Sequence, residues 1–367
     1  MELLIISTVD FNKHGIPIAI LNNYRNFNHE KIHCTFIVNE SIDSEFRREI
    51  LTLGDRIFIL PNRKKKTITY IKKLHSIVKK ECYDIAHIHG NSATMLFELL
   101  ALKGICRVIC QAHAIGGIHS FMNNLLYPMF ISMTEYRAAC SNEAGIFLFK
   151  NKAFEVLNNG INSQKHLFDA RVRDKIREKN GISEQKIILH VGSFTESKNH
   201  PFLIKVFEKV AKDMPDTLLW LVGTGPDLDN VKKIVERKKL SHRVKFVGTV
   251  NNVEEYMMAA DCFLLPSKVE SFGIVNIEAQ ATGLPCIISD VVPQNVKLLN
   301  NVKFVSLREN EKVWANKVEE ILLGNVSYGE RKKANEIVKN SEFDIKKTSE
   351  RLQEYYFRIL NVDDVFS

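Results

Sequence analysis

Residues 270–285, ESFGIVNIEAQATGLP, are the stretch best suited to chemistry: two carboxylates, Glu270 and Glu278, flank a Ser-Phe-Gly turn that runs into a helical pattern. Ser271, Phe272 and Gly273 put backbone N–H groups where that helix would begin, and a helix N-terminus, with unpaired donors and a partial positive charge, suits a phosphate. Gly273 lets the main chain approach a ligand with no Cβ in the way. If the helix starts near Ile274, Glu278 stands little more than one turn in while Glu270 stays on the loop. The two carboxylates then address different parts of one ligand. Just upstream, the apolar run 262–265 reads as a buried strand that delivers Glu270 to its carboxyl end, the edge where open parallel sheets bind ligands.

Other turns in the same half repeat the arrangement. Residues 188–198 (ILHVGSFTESK) read as a strand, a glycine turn and then Lys198, with 199–210 opening a helix. Residues 221–227 (LVGTGPD) and 247–250 (VGTV) are further strand ends that run into glycine, at Gly223, Gly225 and Gly248. One such turn means little, but several at carboxyl strand ends outline a crevice for a nucleotide diphosphate. Lys198 is the cation for its phosphates, against the alternative of an ordinary surface lysine.

The elements that must position these residues alternate along the chain. Segments 3–8, 34–38, 56–60, 85–89 and 108–112 read as strands, with helical patterns at 16–26, 67–80 and 92–103. A second series of strands follows at 186–191, 217–222, 244–247, 262–265 and 286–289. Repeated βα alternation implies parallel sheets covered on both faces, here two αβα units joined near residues 160–185. A length of 367 residues fits two domains, and 45% hydrophobic with 26% charged residues is a soluble globular composition.

No run approaches the roughly twenty apolar residues of a membrane-crossing helix. The start, MELLIISTVDF, lacks a basic segment and reads as a buried strand instead of a signal peptide, so a cytoplasmic protein is expected. Seven cysteines, with no C-x-x-C pair, read as buried free thiols. The net charge is +8, and part of it falls on Arg63, Lys64, Lys65 and Lys66, then Lys72, Lys73, Lys79 and Lys80. Two readings stay open: a solvated helix face, or attraction to an anionic membrane surface or a phosphate-bearing acceptor. Nucleic acid is disfavoured, because no aromatic residues are interleaved as stacking platforms. No G-x-G-x-x-G opens a helix after either first strand, which disfavours a dinucleotide dehydrogenase.

Taken in order, VGSFTESKNHPFLI, LVGTGP, KFVGTV and ESFGIVNIEAQATGLP resemble the retaining family 4 glycosyltransferases of the GT-B fold, with Glu270 and Glu278 as the E-x7-E signature. In the amino half, HGIPIAILNNYRN, IAHIHGNSATMLFELLA, ACSNEAGIFLF and FEVLNNGIN are similar to the bacterial branch that builds capsule, exopolysaccharide and O-antigen chains. The resemblance implies an α/β GT-B fold of two Rossmann-like domains facing across a cleft. It places an acceptor-binding domain at 1–165, a nucleotide-sugar domain at 166–345, and a helix at 346–367 crossing back to the first.

It also implies site roles. Glu278 would bind the ribose hydroxyls, Glu270 the donor sugar, and Lys198 the leaving diphosphate. Phe272, Gly273, Ile274 and Val275 would offer backbone N–H groups to sugar and diphosphate, Gly248 and Ser193 would line the donor site, and Gly15 would approach the phosphates from the amino half. His113 resembles the histidine near the sugar's reacting face, against the alternative of a satisfied core histidine; for His87 and His89, acceptor-cleft and core readings both stand.

The implied reaction moves a sugar from a nucleotide diphosphate, UDP for preference, onto a hydroxyl of a growing surface glycan carried on undecaprenyl diphosphate. No resident cofactor and no catalytic metal are expected. The expected place is the cytoplasm, with peripheral contact at the inner membrane face. Two positions depart from the family. Ser193 stands where an arginine usually shares the diphosphate with the lysine, and Lys13, His14 and Gly15 stand where a Gly-Gly pair is common. Either another cation compensates, Lys13 being a candidate, or the protein is a non-catalytic subunit of a glycan assembly complex. A sugar-nucleotide epimerase of the same fold is a further alternative.

Overall fold

The structure is a computed structural model that describes residues 1–13, 15–115, 121–324 and 326–361. His14 and the last residues of the 346–367 segment, both singled out above, lie outside the described residues. The strands are β1 (Glu2–Ser7), β2 (His33–Asn39), β3 (Arg56–Leu60), β4 (Ile85–Gly90), β5 (Arg107–Ala112), β6 (Tyr136–Ala139), β7 (Glu155–Val156), β8 (Lys186–Val191), β9 (Thr217–Val222), β10 (Val244–Gly248), β11 (Cys262–Leu265), β12 (Cys286–Ser289) and β13 (Val302–Val305). The helices are α1 (Gly15–Tyr24), α2 (Ser44–Thr52), α3 (Thr67–Lys80), α4 (Leu96–Leu102), α5 (Phe121–Met133), α6 (Asn142–Phe149), α7 (Ala170–Lys179), α8 (His200–Asp213), α9 (Leu228–Arg237), α10 (Val253–Ala259), α11 (Ile274–Ala281), α12 (Glu311–Leu323), α13 (Tyr328–Asn340) and α14 (Ile345–Asn361).

The chain divides into two compact units, Met1–Gly160 with the segment from Ile345, and Ile161–Asp344. The first holds a seven-stranded sheet in the order β3-β2-β1-β4-β5-β6-β7, the second a six-stranded sheet in the order β10-β9-β8-β11-β12-β13. The paired strands are parallel throughout. Each order reverses once, at β1/β4 and at β8/β11. In a doubly wound sheet the crevice for a ligand opens there, because the loops leaving the two strands part to opposite faces.

Local sequence accounts for the elements. β4, β11 and β12 are buried along their whole length, as strands covered on both faces must be. α3 buries Tyr70, Leu74 and Val78, one helical face, and turns its lysines outward. Asp43 caps α2, accepting from the Glu45 and Phe46 amides at 2.9 and 3.4 Å. The core of the second unit gathers Leu219, Leu221, Leu264 and Ile287 around Trp314. That of the first gathers Leu3, Ile5, Tyr24 and Phe36, and α14 supplies Leu352, Tyr355, Tyr356 and Ile359 to it.

Two sequence expectations change. Arg63 is not part of an exposed basic run: it is 3% exposed and makes two hydrogen bonds to the Glu98 carboxylate, at 2.8 and 2.7 Å, while Lys64, Lys65 and Lys66 are exposed. A guanidinium matches a carboxylate two-pronged, and pairing is what lets both charges be buried. The free cysteines are mostly buried, but Cys82 is exposed, since it lies in the short connection between α3 and β4. Among the described residues no helix is long and apolar enough to cross a membrane.

Candidate active site

In the second unit the functional side chains come from the loops leaving β8 and β11, at the point where the strand order reverses. β8 ends at Val191, the chain passes Gly192 and Ser193, buries Phe194, and makes a short turn over Glu196–Lys198 before α8. Asn199, in the left-handed region at φ 57°, ends that turn, and Pro201 stands in the first turn of α8, where its missing N–H costs nothing. The loop is clamped by main-chain bonds to the one after β9: Gly192 N–H to the Val222 carbonyl at 3.0 Å, Phe194 N–H to the Thr224 carbonyl at 2.9 Å, and Asp227 N–H to the Phe194 carbonyl at 3.0 Å. This approach needs glycine. A Cβ on Gly223 would lie 2.1 Å from the Gly192 carbonyl oxygen, and one on Gly225 2.5 Å from that of Phe194. Gly223 N–H in turn donates to the Gly248 carbonyl at 2.8 Å, so the three glycine turns form one contiguous floor.

Above that floor Lys198 pairs with Glu270, the two side chains being 16% and 15% exposed. Ser267 Oγ donates to the same carboxylate at 3.4 Å, and Ser289 Oγ fixes the Ser267 carbonyl at 2.7 Å. Gly273, at φ 70°, caps α11 in the left-handed conformation, and Ile274 is its first residue. The first-turn amides of Ile274 and Val275 have no intrahelical acceptors. The Phe272 side chain is buried edge-on to Phe343, ring centres 5.4 Å apart, so this residue offers a ligand its main chain only. Ser193 is exposed, its hydroxyl 3.5 Å from that of Thr195.

Glu278 stands one turn into α11 and is partly exposed. Burial raises its pKa above the ordinary carboxylate value, His166 and Lys165 act against that, and Glu254 adds to it. Lys165 is itself paired with Glu254 at 3.1 Å. Sequence reading missed these three neighbours, because they come from the 163–166 turn and from α10 and carry no motif. It also missed His190, whose Nδ1 lies 2.8 Å from the Leu264 carbonyl, tying β8 to β11 just below the reactive loops. A carbonyl only accepts, so Nδ1 carries the proton and Nε2 is left as a buried acceptor without a protein partner. Burial keeps this ring, and His200 stacked on Phe194, neutral; the His200 pKa falls to about 4.

The first unit carries the remaining predicted residues. Gly15 opens α1, with nothing within 4 Å of where its Cβ would lie. Lys13 is paired with Glu45 at 2.6 Å. His113 follows β5, its amide bonded to Asn91 Oδ1 at 2.8 Å and its Nε2 2.9 Å from His89 Nδ1. The His87 and His89 rings are tilted by 32° with centres 4.0 Å apart, and His87 Nδ1 meets the Tyr356 hydroxyl of α14 at 2.7 Å. Burial drives the His87 pKa to about 3 and the His113 pKa to about 4. His87 and His89 are thus buried members of a neutral row that ends at His113.

Two parallel αβα units are the architecture of the GT-B fold, and the second carries a lysine–glutamate pair and a helix N-terminus at its switch point. Residues 172–342 match the family described as Glycosyl transferases group 1. The chain is 29% identical over 323 residues to the putative glycosyltransferase EpsF of Bacillus subtilis, covering 84% of each. It is 24% identical over 253 residues to the Escherichia coli UDP-Gal:alpha-D-GlcNAc-diphosphoundecaprenol alpha-1,3-galactosyltransferase, covering 64% of this chain and 65% of that one. The fold is shared with Anabaena HepE in complex with UDP and glucose, at a TM-score of 0.79 and 16% identity over 98% of this chain and 100% of that one. These likenesses support a glycosyltransferase of the group 1, family 4 type.

Proposed function

We propose that the protein is a retaining glycosyltransferase that moves a sugar from a nucleoside diphosphate, UDP, to a hydroxyl of a growing bacterial surface glycan, as in a capsule, exopolysaccharide or O-antigen repeat unit. The observation that carries this is the Lys198–Glu270 pair beside the N-terminus of α11. A diphosphate seated there takes Lys198 from Glu270, which frees the carboxylate for the sugar hydroxyls. Glu278 faces the ribose diol as a hydrogen-bond acceptor. As the bond from the anomeric carbon to the diphosphate oxygen breaks, negative charge grows on that oxygen. Lys198 and the amides of Gly273, Ile274 and Val275 stabilise it. The acceptor hydroxyl attacks from the same face and gives its proton to the departing phosphate oxygen, so no carboxylate serves as nucleophile. In this reading no divalent metal takes part.

UDP and a lipid-diphosphate-linked acceptor are both supported by the E. coli relative named for them. Acceptor binding is assigned to the first unit, with Gly15 and His113 in the roles given above. Contact with an anionic membrane face is supported by one helical layer of that unit. There α4 packs between α3, with its outward lysines, and α5, which shows Phe121, Leu125 and Met129 on one face, Phe121 being 82% exposed. Leu125→Asp with Met129→Asp should release the protein from vesicles of anionic lipid.

The deciding experiment measures nucleoside diphosphate release from a panel of UDP- and GDP-sugars, with and without a lipid-diphosphate-linked acceptor, and with chelator present. Acceptor-stimulated release that survives the chelator and vanishes in Lys198→Ala and Glu270→Ala is expected. Nucleotide binding without any release would favour the non-catalytic reading that the exposed Ser193 hydroxyl motivates.

A further inference from the structure

The two loops at the β8/β11 switch point are joined crosswise. Each contributes one lysine and one glutamate: Lys198 pairs with Glu270, and Lys268 Nζ lies 3.1 Å from Glu196 Oε1. Between the two pairs, the Lys268 amide donates to the Ser197 carbonyl at 2.7 Å, which fixes the Lys268 main chain beside the turn that carries Lys198. The pairs differ in how firmly they are held. Lys198 and Glu270 are largely covered, whereas the Lys268 and Glu196 side chains are 47% and 87% exposed. An ion pair so open to water contributes little and exchanges partners readily.

Charge makes that exchange consequential. The four side chains sum to zero, so a donor diphosphate meets no net positive charge from them unless at least one glutamate gives up its lysine. Lys198 alone, with Glu270 close by, leaves most of the diphosphate charge unbalanced. Lys268 is on the same loop as Glu270, its stem is flexible, and its present partner is the most exposed group of the four.

We infer that Lys268 is a second phosphate-binding cation of the donor site, its ammonium exchanging Glu196 for an oxygen of the nucleoside diphosphate while its main chain stays anchored on Ser197. The inference rests on the donor-site reading above and deepens it. Glu196 then acts as a parking place for the cation: it competes with the ligand for Lys268 and makes no contact with it.

Titration calorimetry with UDP tests this on the full-length protein and on Lys268→Ala, Lys268→Arg and Glu196→Ala, at low and high salt. Lys268→Ala should weaken UDP about tenfold and flatten its salt dependence, since one charged contact is lost. Lys268→Arg should retain most of the affinity, and Glu196→Ala should leave UDP binding unchanged or tighten it. Equal weakening by Lys268→Ala and Glu196→Ala would mean that the pair only clasps the loops, and would overturn the inference. Wild-type affinity in Lys268→Ala would overturn it as well while leaving the donor site standing. A wild-type protein that binds neither UDP nor GDP would overturn the donor reading itself and this inference with it.

Discussion

Replacing Gly223 with alanine tests how the phosphate-facing loops are held, and its cost separates into two parts. The residue sits at φ 131°, where a side chain is strained, and its Cβ would fall 2.1 Å from the Gly192 carbonyl oxygen. Relief by moving Gly192 means breaking its 3.0 Å bond to Val222. Two other glycines isolate the terms. Gly181, at φ 67°, has nothing within 4 Å of its built Cβ, while Gly225 lacks a positive φ but would meet the Phe194 carbonyl oxygen at 2.5 Å. A left-handed alanine costs about 1–2 kcal/mol, and forcing atoms into a packed site about 1–3 kcal/mol. Gly181→Ala should therefore cost about 1–2 kcal/mol, Gly225→Ala about 1–3, and Gly223→Ala about 2–5 as the two effects combine. Urea unfolding followed by tryptophan fluorescence reads this directly, because both tryptophans, Trp220 and Trp314, are buried in the second unit. UDP titration completes the assay: binding should be lost in Gly223→Ala and Gly225→Ala and kept in Gly181→Ala. A Gly223→Ala protein as stable as Gly181→Ala, with unchanged UDP affinity, would refute the idea that this glycine floor positions Lys198.

Further outcomes follow from buried charge. Arg63→Ala strands the Glu98 carboxylate, which is fully buried, and should cost about 3–5 kcal/mol in denaturant unfolding. The double change Arg63→Met with Glu98→Leu should restore most of that, and a double variant less stable than Arg63→Ala would contradict it. Acid should also weaken the fold. His87, His113 and His200 titrate near 6.5 when unfolded but at about 3, 4 and 4 when folded. The unfolded chain thus takes up protons first: stability is full above about pH 6.5 and falls by up to about 1.4 kcal/mol per pH unit for each ring until its folded pKa is passed. His87→Asn should flatten this slope between pH 6 and 4.5, an unchanged slope counting against the assignment.

The reading from sequence was strongest where one signal had no competitor. Buried parallel strands are continuous apolar runs, so 186–191, 217–222, 262–265 and 286–289 coincide with β8, β9, β11 and β12. The α11 start at Ile274 follows from Gly273 alone. Short or half-exposed strands such as β6, β7 and β13 lack that run, and α2 lies in a polar segment marked only by its Asp43 cap. Arg63 misled because a run of like residues in sequence looks like one surface, yet a single turn of backbone sent its side chain inward to Glu98. The partners of Glu278 and the crosswise pairing of Lys268 with Glu196 join distant segments, and no local pattern records such meetings.

The place of α14 bears on how the protein is made. Its Tyr356 closes on His87 across a separation of 269 residues, and its apolar face completes the first unit's core. During synthesis the second unit, contiguous from Ile161 to Asp344, has all its parts before the first does. The strands of the first unit must wait with an open flank until α14 emerges, and closing so long a loop is slow. The chain emerging up to Asp344 thus holds a complete second unit beside a first unit still unsealed, and a truncation before Ile345 would leave it in that state.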